Sequence, residues 1–126
     1  MDDNEYRRER CKQGRLERLQ SNNPSCIIDG EKVPSVLHRH HPGGHKYTDE
    51  TVILCLNHHR KAEESRKDHP PEMAGPPSEL ECEGRLLLGI SDLLSLIKNP
   101  PPETIHLIRQ TALRFIERGE RSRAGQ

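Results

Sequence analysis

An α+β fold is predicted for this chain, in which a short strand–loop–strand–helix unit carries helices on both sides. Three observations predict it. Residues 4–20 and 80–118 have helical patterns, while the middle holds two short apolar runs on either side of Pro42-Gly43-Gly44. Cysteine and histidine crowd into that middle stretch, with six of the eight histidines between His38 and His59. The third observation is a shortage. Only 30% of residues are apolar, 32% are charged, and one Phe and two Tyr are the whole aromatic supply. So thin a core needs a staple such as a bound metal ion.

Residues 4–20 open the chain as a basic helix. Long charged side chains dominate, proline is absent, and Leu16 and Leu19 give a thin apolar stripe. Between Tyr6 and Arg18 six cations (Arg7, Arg8, Arg10, Lys12, Arg15, Arg18) face Glu9 and Glu17, a local net of +4. This face either tracks phosphates or is simply solvated. Ser21-Asn22-Asn23-Pro24 ends it, because Asn and Pro favour turns. Formal net charge is zero, so no global field draws the chain to nucleic acid or membrane.

In residues 24–70 the pattern changes. Cys26-Ile27-Ile28-Asp29-Gly30 leads an apolar pair into a tight turn, Val33 to His41 is an expected strand, and Thr51-Val52-Ile53-Leu54 is a second. Asn57 is the expected N-cap of a helix running to about Lys67, with Arg60–Glu64 and Glu63–Lys67 as supporting pairs. Residues 71–79 are a stiff, proline-rich linker. Residues 80–126 then form a helical hairpin with a polar, fraying tail. One helix groups Leu86, Ile90, Leu93, Leu94 and Ile97. The other groups Ile105, Ile108, Ala112, Phe115 and Ile116, and Asn99-Pro100-Pro101-Pro102 separates the two. Two such stripes exceed what a lone hairpin can cover. They are expected to bury against the central unit or in a homodimer.

The four cysteines are read as thiols rather than disulfides. The first residues are acidic then basic, with no apolar leader or membrane-spanning run, so a reducing, cytoplasmic setting is expected. Cys26-x-x-Asp29 and Cys55-x-x-His58 are then two pairs of potential ligands, each spaced so that one turn presents both side chains to one ion. Asp29 has a second reading, since Asp-Gly is a common hairpin turn. His40 and His41 are adjacent on the expected strand and point to opposite faces, so one can hold a metal while the other faces substrate or water. His59, in the first helical turn, can close a metal site opposite the strand. His45 is a spare ligand candidate, whereas His69, His106, Cys11 and Cys82 carry no expected role.

The run Leu37-His38-Arg39-His40-His41-Pro42-Gly43-Gly44, followed by Thr51-Val52-Ile53-Leu54-Cys55-Leu56-Asn57-His58-His59-Arg60-Lys61, resembles the HNH endonucleases. That family shares a ββα-metal core with a His-His or Asp-His pair, a Gly-Gly loop and Cys-x-x-Cys-His. The resemblance covers about a third of the chain. It implies that His41 is a general base, that His40 and His59 hold a catalytic Mg²⁺ or Mn²⁺ (Zn²⁺ and Ni²⁺ being further candidates), and that Cys26, Asp29, Cys55 and His58 hold a structural zinc. It further implies DNA as partner, with phosphate contacts from Arg39, Lys46, Arg60 and Lys61 joined by Arg8, Lys12 and Arg15 of the basic helix. By analogy the setting is a bacterial or phage-infected cell.

Two residues depart from the pattern. The family's middle asparagine, five positions before the second-strand cysteine, is Glu50 here, and Asn57 lies too late to replace it. The usual Cys-x-x-Cys pairs have become Cys-x-x-Asp and Cys-x-x-His. Two function classes follow: a metal-dependent DNA endonuclease, or a non-catalytic, zinc-stapled module that binds nucleic acid or protein. A third is an assembly protein whose C-terminal helices matter most.

Overall fold

The computed structural model describes residues 2–125, an α+β chain of four helices and one two-stranded antiparallel sheet. Helix α1 (Asp3–Leu19) starts in a capping box. Asp2 accepts the Glu5 N–H at 2.7 Å and the Glu5 carboxylate accepts the Asp2 N–H. Leu19 alone on α1 is buried, so the helix is anchored at its C-terminal end and its charged faces stay in water.

The strands are β1 (Leu37–His40) and β2 (Val52–Cys55), with Leu37 opposite Cys55 and His40 opposite Val52. The strand expected from Val33 begins only at Leu37. Pro34 fixes its own φ and opens a 3-10 turn, Pro34–Val36, instead. Helix α2 (Leu56–Arg66) follows β2 without a loop, so Cys55 holds the N-cap position and the expected cap, Asn57, lies inside the first turn. The pairs expected on α2 are replaced by others: Glu64 meets Lys67 at 2.9 Å, and Glu63 turns to Arg66 at 3.5 Å and to His59.

Helix α3 (Glu79–Leu94) starts at a Ser78–Glu81 capping box, and α4 (Pro102–Ala124) starts on the predicted proline break. Helix α3 has two apolar sides, of which the first is only partly covered and leaves Ile90 exposed. The predicted stripe of Leu86, Ile90, Leu93, Leu94 and Ile97 faces Ile27, Ile28 and Val52 across an apolar groove of about 350 Å³. The opposite side, with Gly84 and Leu88, packs on Ala112 and Ile116 of α4. Both sides depend on small residues. A Cβ at Gly89 would overlap the Pro42 carbonyl, and one at Gly84 would lie 2.8 Å from the Ala112 carbonyl. The hairpin therefore docks on the His41–Gly44 loop through backbone.

The apolar interior is small, as composition predicts. Leu19, Cys26, Leu37, Leu54, Cys55, Ala62 and Leu93 form one cluster, and Leu88, Ala112 and Ile116 form another. Buried ion pairs occupy much of the rest. Glu81, 1% exposed, is bonded to Arg123, whose guanidinium also donates to the Met73 and Ala74 carbonyls. The tail expected to fray from Glu117 is therefore helical through Ala124; Gln126 lies outside the described residues. His69, expected to be without a role, binds Asp92 at 2.6 Å, and Arg109 reaches the other Asp92 oxygen at 3.5 Å. No helix among the described residues is long and apolar enough to cross a membrane.

The Glu81 pair gives a first expected result. Burial raises the Glu81 carboxyl, but bonds from Arg123 and Ser78 outweigh it and hold the group below its ordinary value of 4.5. A depressed folded pKa stabilises the fold above the unfolded value and is lost as pH falls through the folded one. Breaking a buried pair costs about 3–5 kcal/mol. Glu81→Gln is thus expected to lower the melting temperature at pH 7 and to flatten its fall below about pH 4.5. Parallel parent and variant curves across that window would contradict this.

Candidate metal centres

The first centre is built by two turns. In the Cys26–Glu31 turn the Cys26 N–H donates to Glu31 O at 2.9 Å, the Gly30 N–H donates to Cys26 O at 2.9 Å, and Gly30 takes φ 77°. The Ile27 N–H pins the turn to Ile53 O of β2. The other turn is the β2–α2 junction, which carries Cys55 and His58. The turns meet so that Cys55 Sγ lies 3.3 Å from His58 Nδ1 and 3.4 Å from Asp29 Oδ2. His58 Nδ1 lies 3.6 Å from Cys26 Sγ and 3.3 Å from Asp29 Oδ2. Tetrahedral bonds of about 2.0–2.3 Å would put neighbouring ligand atoms roughly 3.3–3.8 Å apart. These separations fit, and all four donors lie within 4.8 Å of one another. The group can hold a metal ion such as zinc.

Asp29 holds the turn and also lies among the four potential ligand atoms. Its Oδ1 accepts the Glu31 N–H at 3.0 Å and holds the turn, while Oδ2 faces Cys55 and His58. The Glu31 N–H and Cys26 keep its carboxyl below the usual range. Burial pushes the Cys55 thiol up, and the nearby His58 N–H only partly offsets this. A bound cation would favour both thiolates.

The second centre lies one residue along α2. His40, on β1, is 3% exposed, with Nδ1 3.4 Å from Glu63 Oε1; His59 Nε2 lies 3.6 Å from the same oxygen. The three donors can hold an ion. Burial lowers the His40 pKa to about 4 even though Glu63 opposes the shift, so the ring is neutral at pH 7. Its Nδ1 is buried with no hydrogen-bond partner. A buried imidazole nitrogen without a hydrogen-bond partner, beside a carboxylate and a second imidazole, belongs to a donor set that can hold a cation.

Sequence reasoning missed Glu63. The signal was its place four residues after His59, one turn along the same helical face. His38 shares the His40 side of β1, its ring 5.2 Å from that of His59. His41 lies just past the end of β1. Its imidazole stacks on His45 at 3.7 Å, and burial with the nearby His45 and Arg39 holds its pKa below the ordinary histidine value.

The remaining predicted residues are scattered. Arg39 donates to Thr51 Oγ1 at 3.0 Å, and Lys46 donates to Met73 O at 2.7 Å. Arg60 and Lys61 are exposed on α2, and Arg8, Lys12 and Arg15 are exposed along one face of α1. Glu50 is exposed, and its N–H donates to Thr48 Oγ1. No protein-family profile, curated protein or solved structure matches the chain.

Proposed function

We propose that the chain is a metal-dependent endonuclease of HNH type that hydrolyses DNA phosphodiester bonds. The observation that carries this reading is the buried, unpartnered Nδ1 of His40, which faces His59 and Glu63 where strand meets helix. In this reading Cys26, Asp29, Cys55 and His58 bind the structural zinc that joins the two turns, and His40, His59 and Glu63 bind Mg²⁺ or Mn²⁺. Bound there, a divalent ion supplies Lewis acidity to the phosphate and offsets charge on the leaving oxygen.

The chain's own residues do the rest. His41, neutral at pH 7, accepts a proton from water as the water oxygen bonds to phosphorus and the leaving P–O bond breaks. The stacked His45 and the His41–Gly44 loop orient that imidazole, since the Gly44 N–H donates to the His41 carbonyl at 3.0 Å. Exposed cations on α1 and α2 supply phosphate contacts without reading sequence.

The test is nicking of supercoiled plasmid by zinc-loaded protein. Cleavage is expected with Mg²⁺ or Mn²⁺, falling with salt, and none without added ion. One observation favours a second reading. Glu50, at the position of the resembled family's bracing asparagine, is exposed and makes no bond to the histidines. Plasmid that is bound but left intact with every divalent ion would make the chain a non-catalytic, zinc-stapled nucleic-acid-binding module.

A further inference from the structure

Helix α1 has little cover from the rest of the chain. Every residue from Asp3 to Arg15 is exposed, and Leu19 alone on the helix is buried. A helix of this length standing alone in water is marginal. We propose that α1 is a docking arm for duplex DNA, with the phosphate backbone lying along Arg7, Arg8, Lys12, Arg15 and Arg18 and led from there to the ion site at His40, His59 and Glu63. The substrate class rests on the phosphodiesterase reading above; the face of the helix and the direction of the strand go beyond it.

The charges on α1 are sorted by face. At about 100° per residue those five cations share an arc of about 140°. Asp3, Glu5, Glu9 and Glu17 fall outside that arc, as does Arg10, whose guanidinium lies 5.7 Å from the Tyr6 ring centre. Asp3, Glu5 and Glu9 stand one turn from Arg7, Arg8 and Lys12, yet none of the five cations makes an ion pair among the described residues. Glu5 is held by the capping box, and Glu17 accepts from Gln13 at 3.5 Å. On α2, by contrast, Arg66 and Lys67 are paired with Glu63 and Glu64. The α1 face thus presents charge that nothing in the chain neutralises, and a phosphate backbone is its complement.

The place of the helix gives the direction. Helix α1 ends against β1 and the Pro34–Val36 turn. There burial, His59 and Arg18 together hold the His38 pKa below the ordinary histidine value, and the His38 ring lies 5.2 Å from that of His59. From Arg7 to Arg18 the stripe is about 16 Å long, the rise of roughly five base pairs. An anionic membrane would need an apolar face to bury. The large apolar side chains of α1 are Tyr6 and Leu16, on the side of Glu5, Glu9 and Glu17, and Leu19, which is buried in the core.

The test is binding, read without cleavage. Zinc-loaded, ¹⁵N-labelled full chain, free of other divalent ions, is titrated with a short DNA duplex, with phosphatidylserine vesicles and with polyglutamate. The duplex is expected to bind most tightly, with amide shifts along α1 that continue to His38. Arg8→Gln with Arg15→Gln, at the centre of the face, should weaken duplex binding roughly 50-fold at about 0.1 M salt and make the plot of log K against log salt shallower by about 1.8. Gln matches Arg in helix propensity, so the helix itself is kept. Arg114→Gln with Arg118→Gln, at exposed positions of α4, removes equal charge and should leave binding nearly unchanged. Equal losses in the two double variants, shifts that leave α1 unmoved, or vesicles or polyglutamate binding as tightly as duplex would overturn the arm. Protein that nicks plasmid while Arg8→Gln with Arg15→Gln binds duplex like the parent refutes the arm alone. Protein that takes duplex along α1 but cuts nothing refutes the nuclease reading alone.

Discussion

Cys55→Ala is expected to lose most bound zinc and to lower the melting temperature by about 10 °C or more. Structural zinc contributes several kcal/mol at least, and a chain of this size moves by roughly 3–5 °C per kcal/mol. The physical reason lies in the core. Cys26 and Cys55 are themselves two of the seven buried residues of the main cluster, so their sulfurs sit where larger apolar side chains would otherwise pack. Without a cation, Cys55, Asp29 and His58 are left with weak mutual contacts at 3.3–3.4 Å in place of metal bonds. Chelation of the parent should reproduce the variant's melt. Cys11→Ala, at an exposed position, should change neither melt nor zinc content. An unchanged melt in both Cys55→Ala and chelated parent would remove the staple from the account.

His41→Ala is expected to slow plasmid nicking by about 10²–10⁴-fold, the usual contribution of a positioned general base. Zinc content and melting should stay at parent levels, because His41 is not among the donors of either centre. His59→Ala and Glu63→Ala should also lose cleavage, but through weaker ion binding, so that excess Mn²⁺ partly restores it. Rescue by metal therefore separates the two kinds of loss. Nicking by His41→Ala at the parent rate would move the base to another histidine, with His38, on the His59 side of β1, the first to test.

Much of the first centre was legible because its ligands come as sequence-local pairs. Cys26-x-x-Asp29 and Cys55-x-x-His58 need only one turn each, so spacing carries most of the geometry. The second centre was half legible. His40 and His59 stood out as histidines, but Glu63 reads as an ordinary surface charge until helix phase places it under His59. Helix ends were misread where tertiary pairing outweighed local preference. Asn57 is a good cap residue, yet β2 runs straight into α2 and leaves Cys55 at that position. Val33 and Val36 favour a strand, but Pro34 turns the segment before it can pair.

The C-terminal helices hid more. The stripe from Leu86 to Ile97 was visible by period, whereas the opposite face of α3 buries Gly84, Ser91 and Asp92, which no apolar pattern marks. His69 was overlooked for the same reason. Its partner Asp92, which Arg109 also holds, is distant in sequence and meets it only because α3 packs on the central unit.

The measurement that tests the central claim most directly is the number of Mn²⁺ ions held by zinc-loaded protein, counted by electron paramagnetic resonance in the parent and in His40→Ala. The parent is expected to bind one Mn²⁺ per chain with its zinc retained, and His40→Ala to keep the zinc and lose the Mn²⁺. Equal Mn²⁺ uptake by the two proteins, or uptake only as zinc is displaced, would contradict a separate ion site at His40, His59 and Glu63.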